Sequence, residues 1–180
     1  ARVKREGKIG FIDKTGKEII PVKYDETGLL FTEGLVMVKT GGKLGFINKS
    51  GKEIIPIKYD EIGDFSEEGL AKVKSGNYWG FIDKTGNAIL PIEYNEIGEF
   101  YDGLAKVKKN KKVGFINRTG KEIIPLKYDD AIDFSNGYAA YAYSESFFTY
   151  GGFVDTKTNW GIIDKAGQEV LLAEYTEKEV

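Results

Sequence analysis

Apolar and polar residues alternate along this chain over short stretches, which is the period of β-strands. Residues 71–74 alternate a small apolar residue with a lysine, as expected for a strand with one buried face. Residues 79–82 are apolar at successive positions, which is typical of a central strand covered on both sides. No stretch of ten residues has a convincing helical period. The pattern therefore predicts an all-β fold.

The same phrase recurs five times, so the predicted fold is a tandem repeat. The glycines that open the phrase are spaced by 35, 35, 34 and 47 residues, and they are Gly10, Gly45, Gly80, Gly114 and Gly161. This spacing predicts one domain over residues 1–180, with units of approximately 1–33, 34–68, 69–102, 103–136 and 137–180. The longest step contains an insertion at residues 144–159. Because the chain opens inside a repeat, we expect it to be a fragment of a longer protein.

Each unit is predicted to contain three antiparallel strands, with a tight hairpin between the second and the third. Asp or Asn begins each hairpin connection and Gly follows three residues later, in the pairs Asp13 and Gly16, Asn48 and Gly51, Asp83 and Gly86, Asn117 and Gly120, and Asp164 and Gly167. Asp or Asn suits the first position of a type I turn, and Gly supplies the left-handed residue that follows. The third strand carries a proline in four copies, which predicts an edge or a bend, since proline cannot donate to a β-ladder.

A unit of this size cannot bury its aromatic and branched side chains alone, so neighbouring units must stack. The short units and a degraded fifth copy favour an open β-solenoid or superhelix. Edge prolines and central strands that are apolar on both faces favour the alternative, a closed ring like a β-propeller.

The repeated phrase resembles the bacterial WG repeat, also called the KWG repeat. The resemblance rests on Gly-Leu-Ala-x-Val from Gly69, on Trp-Gly at Trp79 and Trp160, and on the turn, Ile-Ile-Pro and Tyr-Asp segments that follow. Ile9, Leu44 and Val113 replace the tryptophan in the other copies. The resemblance implies a binding or scaffolding role and supplies no catalytic residues.

Composition narrows the chemistry that is available to the chain. There is no His and no Cys, which excludes disulfides, Cys nucleophiles, imidazole bases and the usual zinc sites. Hydrophobic residues make up 41% of the chain but are scattered, so we expect neither disorder nor membrane insertion. The sequence leaves the compartment open between the cell envelope, another extracytoplasmic location and the cytoplasm.

Charged residues also recur in register. Stacking would align two rows of cations, one of Arg2, Lys72 and Lys106 and one of Lys4, Lys39, Lys74 and Lys108. Such a stripe could bind a polyanion, but the intervening acids Glu18, Glu53 and Glu122 favour a solvated strand face, so we expect no nucleic-acid partner.

Pairs of acidic or amide residues follow the recurring tyrosine of the phrase, at Asp25-Glu26, Asp60-Glu61, Asn95-Glu96 and Asp129-Asp130. Two opposed carboxylates could hydrolyse a glycoside or hold a hard cation. Because a catalytic site is usually singular, four regular copies favour a turn-capping role. We therefore expect no enzyme activity, no metal site and no cofactor.

The strongest candidate for ligand contact is a group of aromatic residues around the insertion, namely Tyr138, Tyr141, Tyr143, Phe147, Phe148, Tyr150, Phe153 and Trp160. Aromatic surfaces bind sugars and peptides by stacking and edge contacts. The other interpretation is a hydrophobic lid or the start of a further unit. The sequence thus predicts a non-catalytic scaffold that binds a protein partner or other domains of its parent chain. Glycan binding is the alternative, and a carboxylate-based glycoside hydrolase is the third.

Overall fold

The computed structural model describes residues 1–148 and 154–175, with side chains up to residue 172. Every regular element in these ranges is a β-strand, and none of the described residues forms a helix that is long and apolar enough to cross a membrane. The chain divides into two compact units, Ala1–Ile92 and Glu93–Val180. The prediction of an all-β chain of tandem antiparallel repeats is confirmed, and none of the described sheets closes into a barrel.

The first unit contains three sheets. The first sheet has the order β1-β2-β3, formed by β1 (Arg2–Arg5), β2 (Lys8–Ile12) and β3 (Glu18–Tyr24). The second has the order β4-β5-β6-β7, formed by β4 (Glu26–Thr27), β5 (Leu35–Thr40), β6 (Lys43–Asn48) and β7 (Glu53–Tyr59). The third has the order β8-β9-β10-β11, formed by β8 (Glu61–Ile62), β9 (Leu70–Ser75), β10 (Tyr78–Asp83) and β11 (Ala88–Tyr94), whose last two residues belong to the second unit.

The second unit contains two sheets. The fourth sheet has the order β12-β13-β14-β15, formed by β12 (Glu96–Tyr101), β13 (Leu104–Lys109), β14 (Lys112–Asn117) and β15 (Glu122–Tyr128). The fifth has the order β16-β17-β18-β19, formed by β16 (Asp130–Ala131), β17 (Tyr138–Phe148), β18 (Val154–Asp164) and β19 (Glu169–Tyr175). Neighbouring strands in both sheets run antiparallel, as β13 does to β14 and β17 does to β18.

Four of the five sheets have one strand more than the three that the repeat pattern predicts. The additional strands are β4, β8, β12 and β16, and three of them are only two residues long. Each follows the tyrosine of one repeat and pairs with the first long strand of the next, as Glu26 does with Lys39. A sheet is therefore completed by a segment of the preceding repeat. Two residues are too few to show an alternating pattern, which is why sequence analysis missed β4, β8 and β16.

The hairpin turns have the same chemistry in each repeat. In the first, the Asp13 carboxylate accepts hydrogen bonds from the backbone N–H groups of Thr15 (2.8 Å) and Lys17 (3.0 Å). Gly16 closes the turn with φ +87°, in the left-handed region that glycine enters at no steric cost. The glycines at the four equivalent positions, Gly51, Gly86, Gly120 and Gly167, also have positive φ. These loops therefore act as structural turns.

The glycine that opens each phrase lies where two strands approach closely. The β2–β3 ladder shifts register around Gly10, and Pro21 lies in β3, which is the outermost strand of its sheet. A Cβ atom at Gly10 would lie 2.6 Å from the carbonyl oxygen of Ile20, well inside contact distance. The same approach recurs at Gly45, Gly80, Gly114 and Gly161. Only glycine fits beside this irregular edge strand, which contains a proline in four of the five repeats.

The core of the first unit lies between its sheets. Val36, Val38 and Ile47 of the second sheet cluster with Ile20 and Tyr24 from the outer strand of the first. Phe11 and Phe31 add an aromatic contact, with ring centroids 5.3 Å apart. Burial of the apolar faces of neighbouring repeats against each other explains why one repeat alone would be unstable.

Candidate functional site in the extended β17–β18 hairpin

The last repeat differs from the others by a long hairpin. β17 and β18 pair continuously from Tyr138 opposite Asp164 to Phe148 opposite Val154, whereas the equivalent β13 and β14 pair over six residues each. The insertion at residues 144–159 supplies this extra length. We call its described residues, 144–148 and 154–159, the extended hairpin. Tyr150 and Phe153 lie outside the described residues.

The described aromatic residues around the insertion do not form one surface. Tyr141 is fully buried, and its ring centroid lies 4.5 Å from that of Tyr128. The half-buried Tyr143 completes the cluster, with centroids 5.4 Å from Tyr128 and 5.6 Å from Tyr141. Tyr141 occupies the position that valine holds in the preceding repeats. The position of Tyr141 therefore supports a packing role within the core rather than contact with a ligand.

The buried tyrosine cluster has unusual electrostatics. The hydroxyl groups of Tyr128 and Tyr141 are buried. That of Tyr128 has no hydrogen-bond partner among the described residues, whereas that of Tyr141 lies near the Glu169 carboxylate. Burial raises the pKa of Tyr128 to about 12, and burial together with the nearby Glu169 carboxylate raises the pKa of Tyr141. Both phenols therefore stay neutral across the ordinary pH range, which suits a packed core.

Other members of the aromatic group reach the solvent. Phe148 is 80% exposed, Phe147 47% and Tyr138 51%, while Trp160 is half-buried. Val154, opposite Phe148 in the ladder, is 63% exposed. Phe148 and Val154 on one face, and Phe147 on the other, thus expose apolar side chains towards the end of a hairpin whose strands run beyond their neighbours.

The two faces of the β17–β18 hairpin differ in chemistry, because side chains alternate along each strand. One face carries the pairs Trp160 with Ala142, Thr158 with Ser144, Thr156 with Ser146, and Val154 with Phe148. The hydroxyl oxygens of Ser144 and Thr158 lie 3.1 Å apart, and those of Ser146 and Thr156 lie 3.4 Å apart. The other face carries Tyr143, Glu145 and Phe147 opposite Asn159, Lys157 and Asp155.

Each recurring aspartate binds a lysine of one sheet and a backbone N–H group of the next sheet. Asp60 accepts hydrogen bonds from the Lys43 ammonium (2.5 Å) and from the backbone N–H of Gly76 (2.7 Å). The Lys43 hydrogen bond, with the Gly76 N–H, lowers the pKa of the Asp60 carboxyl. Asp25 and Asp129 make equivalent contacts, and no group of three or more His, Cys, Asp or Glu residues among those described could hold a metal ion.

Three of the four lysines in the second row form ion pairs within their own sheets. Lys39 lies 2.8 Å from Glu26, Lys74 lies 2.7 Å from Glu61, and Lys108 lies 3.7 Å from Glu96. In each case the acid stands on the additional outer strand. The pairs are exposed and therefore weak individually, but they remove the net positive charge that a polyanion track would need.

A family model described as "WG containing repeat" matches residues 9–43, 45–79, 79–112 and 114–142. The chain belongs to this WG-repeat family. The matched segments begin at the second strand of a repeat and cover most of the chain, which confirms the resemblance seen in the sequence. No match to a curated protein sequence was found.

Solved structures similar to this WG-repeat chain are remote. The tricorn protease shares 16% identity over 95% of this chain and 20% of its own, with a TM-score of 0.44. A Kluyveromyces lactis Hsv2 with loop 6CD replaced by a Gly-Ser linker shares 12% identity over 94% of this chain and 60% of its own, with a TM-score of 0.41. The chain thus spans only a part of each of these proteins, and similarity at this level assigns no activity.

The position that gives the WG repeat its name is variable here. Trp79 is half-buried, and the ammonium groups of Lys72 and Lys74 lie 5.3 Å and 5.0 Å from its ring centroid. The lysines of both rows therefore make cation–π contacts with this tryptophan in the third sheet. In other copies an aliphatic residue replaces it, so the repeat requires an apolar residue at this position rather than the indole itself.

One cavity of the WG-repeat chain was not found by sequence analysis. It has a volume of about 600 Å³ and lies in the first unit, between the loops that lead into the second and third sheets. Leu30 at its edge is 80% exposed and Leu29 is 77% exposed. The second, third and fourth copies carry an acid in place of Leu30, directly before the phenylalanine. Met37, the single methionine, also lines it. The sequence feature that could have indicated this cavity is Met37, which interrupts the row of cations formed by Arg2, Lys72 and Lys106.

Proposed function

We propose that this WG-repeat chain is a non-catalytic scaffold that binds a protein partner through its extended hairpin. The observation that carries the proposal is the exposure of Phe148 (80%), Val154 (63%) and Phe147 (47%) at the end of paired strands. Clustered exposed apolar side chains are typical of interaction sites. Burial of two phenylalanines in an interface would contribute hydrophobic stabilisation of roughly 25 cal/mol for each Å² removed from water.

The contacts of the recurring acids support a non-catalytic role. A glycosidase needs one carboxylic acid whose pKa is raised so that it can donate a proton. Asp25, Asp60 and Asp129 have lowered pKa values instead, first because each accepts a hydrogen bond from a lysine. Each also accepts a hydrogen bond from a backbone N–H group, which explains by structure alone why the aspartate recurs in three repeats.

The test is quantitative affinity capture with wild-type protein and the double variant Phe147→Ser, Phe148→Ser. We expect a partner that is enriched by the wild type and lost with the double variant. The matched control is Tyr101→Ser, which removes a side chain of 49% exposure in another repeat and should leave capture unchanged. A partner retained equally by the hairpin variant, or no partner at all, would refute the proposal.

A second candidate function, glycan binding, is favoured by one face of the same hairpin. Trp160 and Phe148 share that face, and two pairs of hydroxyl side chains lie between them. Aromatic rings can stack on sugar rings while hydroxyl groups exchange hydrogen bonds with sugar hydroxyls. The buried Tyr141 does not belong to this face.

Glycan-array binding with single variants separates the two functions. If the hairpin binds a glycan, Phe148→Ala and Trp160→Ala should abolish the signal, whereas Phe147→Ala on the opposite face should not. Protein binding would instead depend on Phe147 and Phe148 together. An array without signal for the wild type would eliminate the glycan function and leave the protein function standing.

A further inference from the structure

A cation at one position of the repeat bridges to the next sheet. Nε of Arg2, in the first sheet, donates a hydrogen bond to Thr27 Oγ1 in the second (2.9 Å). Nζ of Lys106, in the fourth sheet, donates to the carbonyl oxygen of Ala131 in the fifth (2.9 Å) and lies 4.0 Å from Asp133 Oδ1. Thr27 and Ala131 are equivalent residues of β4 and β16. The repeat therefore has a built position for a cation between these sheets.

The second sheet lacks this cation. The residue equivalent to Arg2 and Lys106 is Met37, whose side chain has no charge and no hydrogen-bond donor. The residues that would face the cation are still present, since Ile62 is equivalent to Ala131 and Asp64 to Asp133. Asp64 is exposed and makes no hydrogen bond or ion pair with any described residue. Its acidic side chain thus lacks the partner that Asp133 has.

The cavity described above lies at this same position. Met37, Phe46, Ile62 and Phe65 give it apolar walls, and the rings of Phe46 and Phe65 meet edge to face with centroids 5.7 Å apart. Its charged lining residues are Glu33, Asp64, Glu67 and Lys84. Lys84 forms an ion pair with Glu33, so Asp64 and Glu67 leave the cavity with a net negative charge. An apolar space with an unbalanced acidic rim is complementary to a long side chain that ends in a cation.

We propose that this cavity binds a lysine or arginine side chain of a partner protein. The aliphatic stem contacts Met37 and Phe46, and the terminal cation lies beside Asp64 and the Ile62 carbonyl, as the Lys106 ammonium lies beside Asp133 and Ala131. Apolar residues next to the basic residue cover the exposed Leu30. The site is separate from the extended hairpin and rests on the proposed function only in taking a protein as the partner.

The unique methionine provides the test. We expect the ¹³C-labelled methyl signal of Met37 to shift saturably when the peptide acetyl-Leu-Lys-Leu-amide is added, and likewise with the arginine peptide. The control peptide carries norleucine in place of lysine and should bind at least tenfold more weakly. An unchanged Met37 signal, or equal binding of the norleucine peptide, would overturn the proposal without recourse to any variant.

Variants of the cavity give an independent measurement, followed through the backbone amide signals of Ile62 and Gly63. Met37→Lys restores the internal cation and should weaken lysine-peptide binding at least tenfold, and Asp64→Asn should weaken it as well. Asp133→Asn is the matched control, because Lys106 already occupies that junction, and it should bind like the wild type. Retained binding by a folded Met37→Lys protein would contradict the proposal. The Phe147→Ser, Phe148→Ser variant should still bind the peptide, so failure of the hairpin function is distinguishable from failure of this site.

Discussion

The phenol ring of Tyr141 lies against Gly161, its partner across the β17–β18 ladder. A Cβ atom at Gly161 would lie 2.7 Å from both Cζ and the hydroxyl oxygen of Tyr141. In the four other repeats the residue facing this glycine is a valine, namely Val3, Val38, Val73 and Val107. The fifth sheet therefore accommodates a buried tyrosine because the opposite residue has no side chain.

We predict that Gly161→Ala destabilises the protein by about 1–3 kcal/mol, since the added methyl group overpacks the sheet. The double variant Tyr141→Val, Gly161→Ala should recover only part of this loss, because the Leu171 carbonyl oxygen would still lie 2.6 Å from the new Cβ. Urea denaturation of the three proteins measures both effects. A free energy of unfolding for Gly161→Ala equal to that of the wild type would contradict the close approach.

A second prediction compares two turn glycines with the same backbone conformation. A Cβ atom added at Gly16 (φ +87°) would meet no other atom within 4 Å, whereas one added at Gly86 (φ +84°) would lie 3.2 Å from the Ile54 carbonyl oxygen of the neighbouring sheet. Gly16→Ala should cost about 1 kcal/mol from backbone strain alone. Gly86→Ala should cost roughly 1 kcal/mol more, because the methyl group also presses on β7. Equal effects in thermal or urea denaturation would show that this turn does not pack on β7.

The third prediction concerns low pH. The pKa values of Asp25, Asp60 and Asp129 are lowered from the ordinary value of 3.8, first by the lysine hydrogen bond that each accepts. Their stabilising contribution is present above the unfolded-state pKa and is lost as pH falls through the folded-state pKa values. We expect the free energy of unfolding to decline as pH falls below about 4.

Replacement of these three aspartates by asparagine should flatten that decline, because asparagine does not titrate. Asn95 shows that an amide is tolerated at this position, since its Oδ1 accepts the N–H of Asn110 at 3.1 Å. Urea midpoints for wild type and triple variant across the acidic range provide the comparison. Parallel pH profiles would show that other carboxyl groups cause the loss of stability.

The fourth prediction concerns high pH. The folded-state pKa of Tyr128 is raised by burial to about 12, and that of Tyr141 is also raised, above an ordinary value of 10.0. The unfolded state therefore releases these protons first, and stability falls as pH rises from about 10 towards 12. Tyr141→Phe should reduce this fall, while Tyr138→Phe, at an exposed position, should not. If both variants follow the wild-type profile, burial of the phenol does not control alkaline stability.

The sequence was most informative where a structural requirement repeats. The Asp13 to Gly16 turn and its copies could be located because their hydrogen bonds are local, spanning at most four residues. Pro21 predicted an edge, a bend or a strand end for an equally local reason, and β3 is an edge strand. The additional strand β4 could not be foreseen, since its two residues become a strand only by pairing with β5 of the next repeat.

The aromatic group around the insertion shows that residues close together in the sequence can differ in burial. Tyr141 and Phe147 lie six positions apart and share a face by β-alternation, yet one is fully buried and the other is 47% exposed. The difference depends on whether a neighbouring strand covers that part of the hairpin. Coverage is a property of the assembled sheets, so no pattern within residues 138–160 contains it.

By itself the sequence determined the all-β repeat, its period, its turns and its family, because each depends on local backbone preferences that are present in every copy. The tertiary structure alone decided which strand completes each sheet, which aromatic side chains reach the solvent, and where Met37 leaves a cavity. These depend on contacts between residues of different repeats. The physical reason is that burial and charge pairing are set by the neighbours that folding brings together, whatever their separation along the chain.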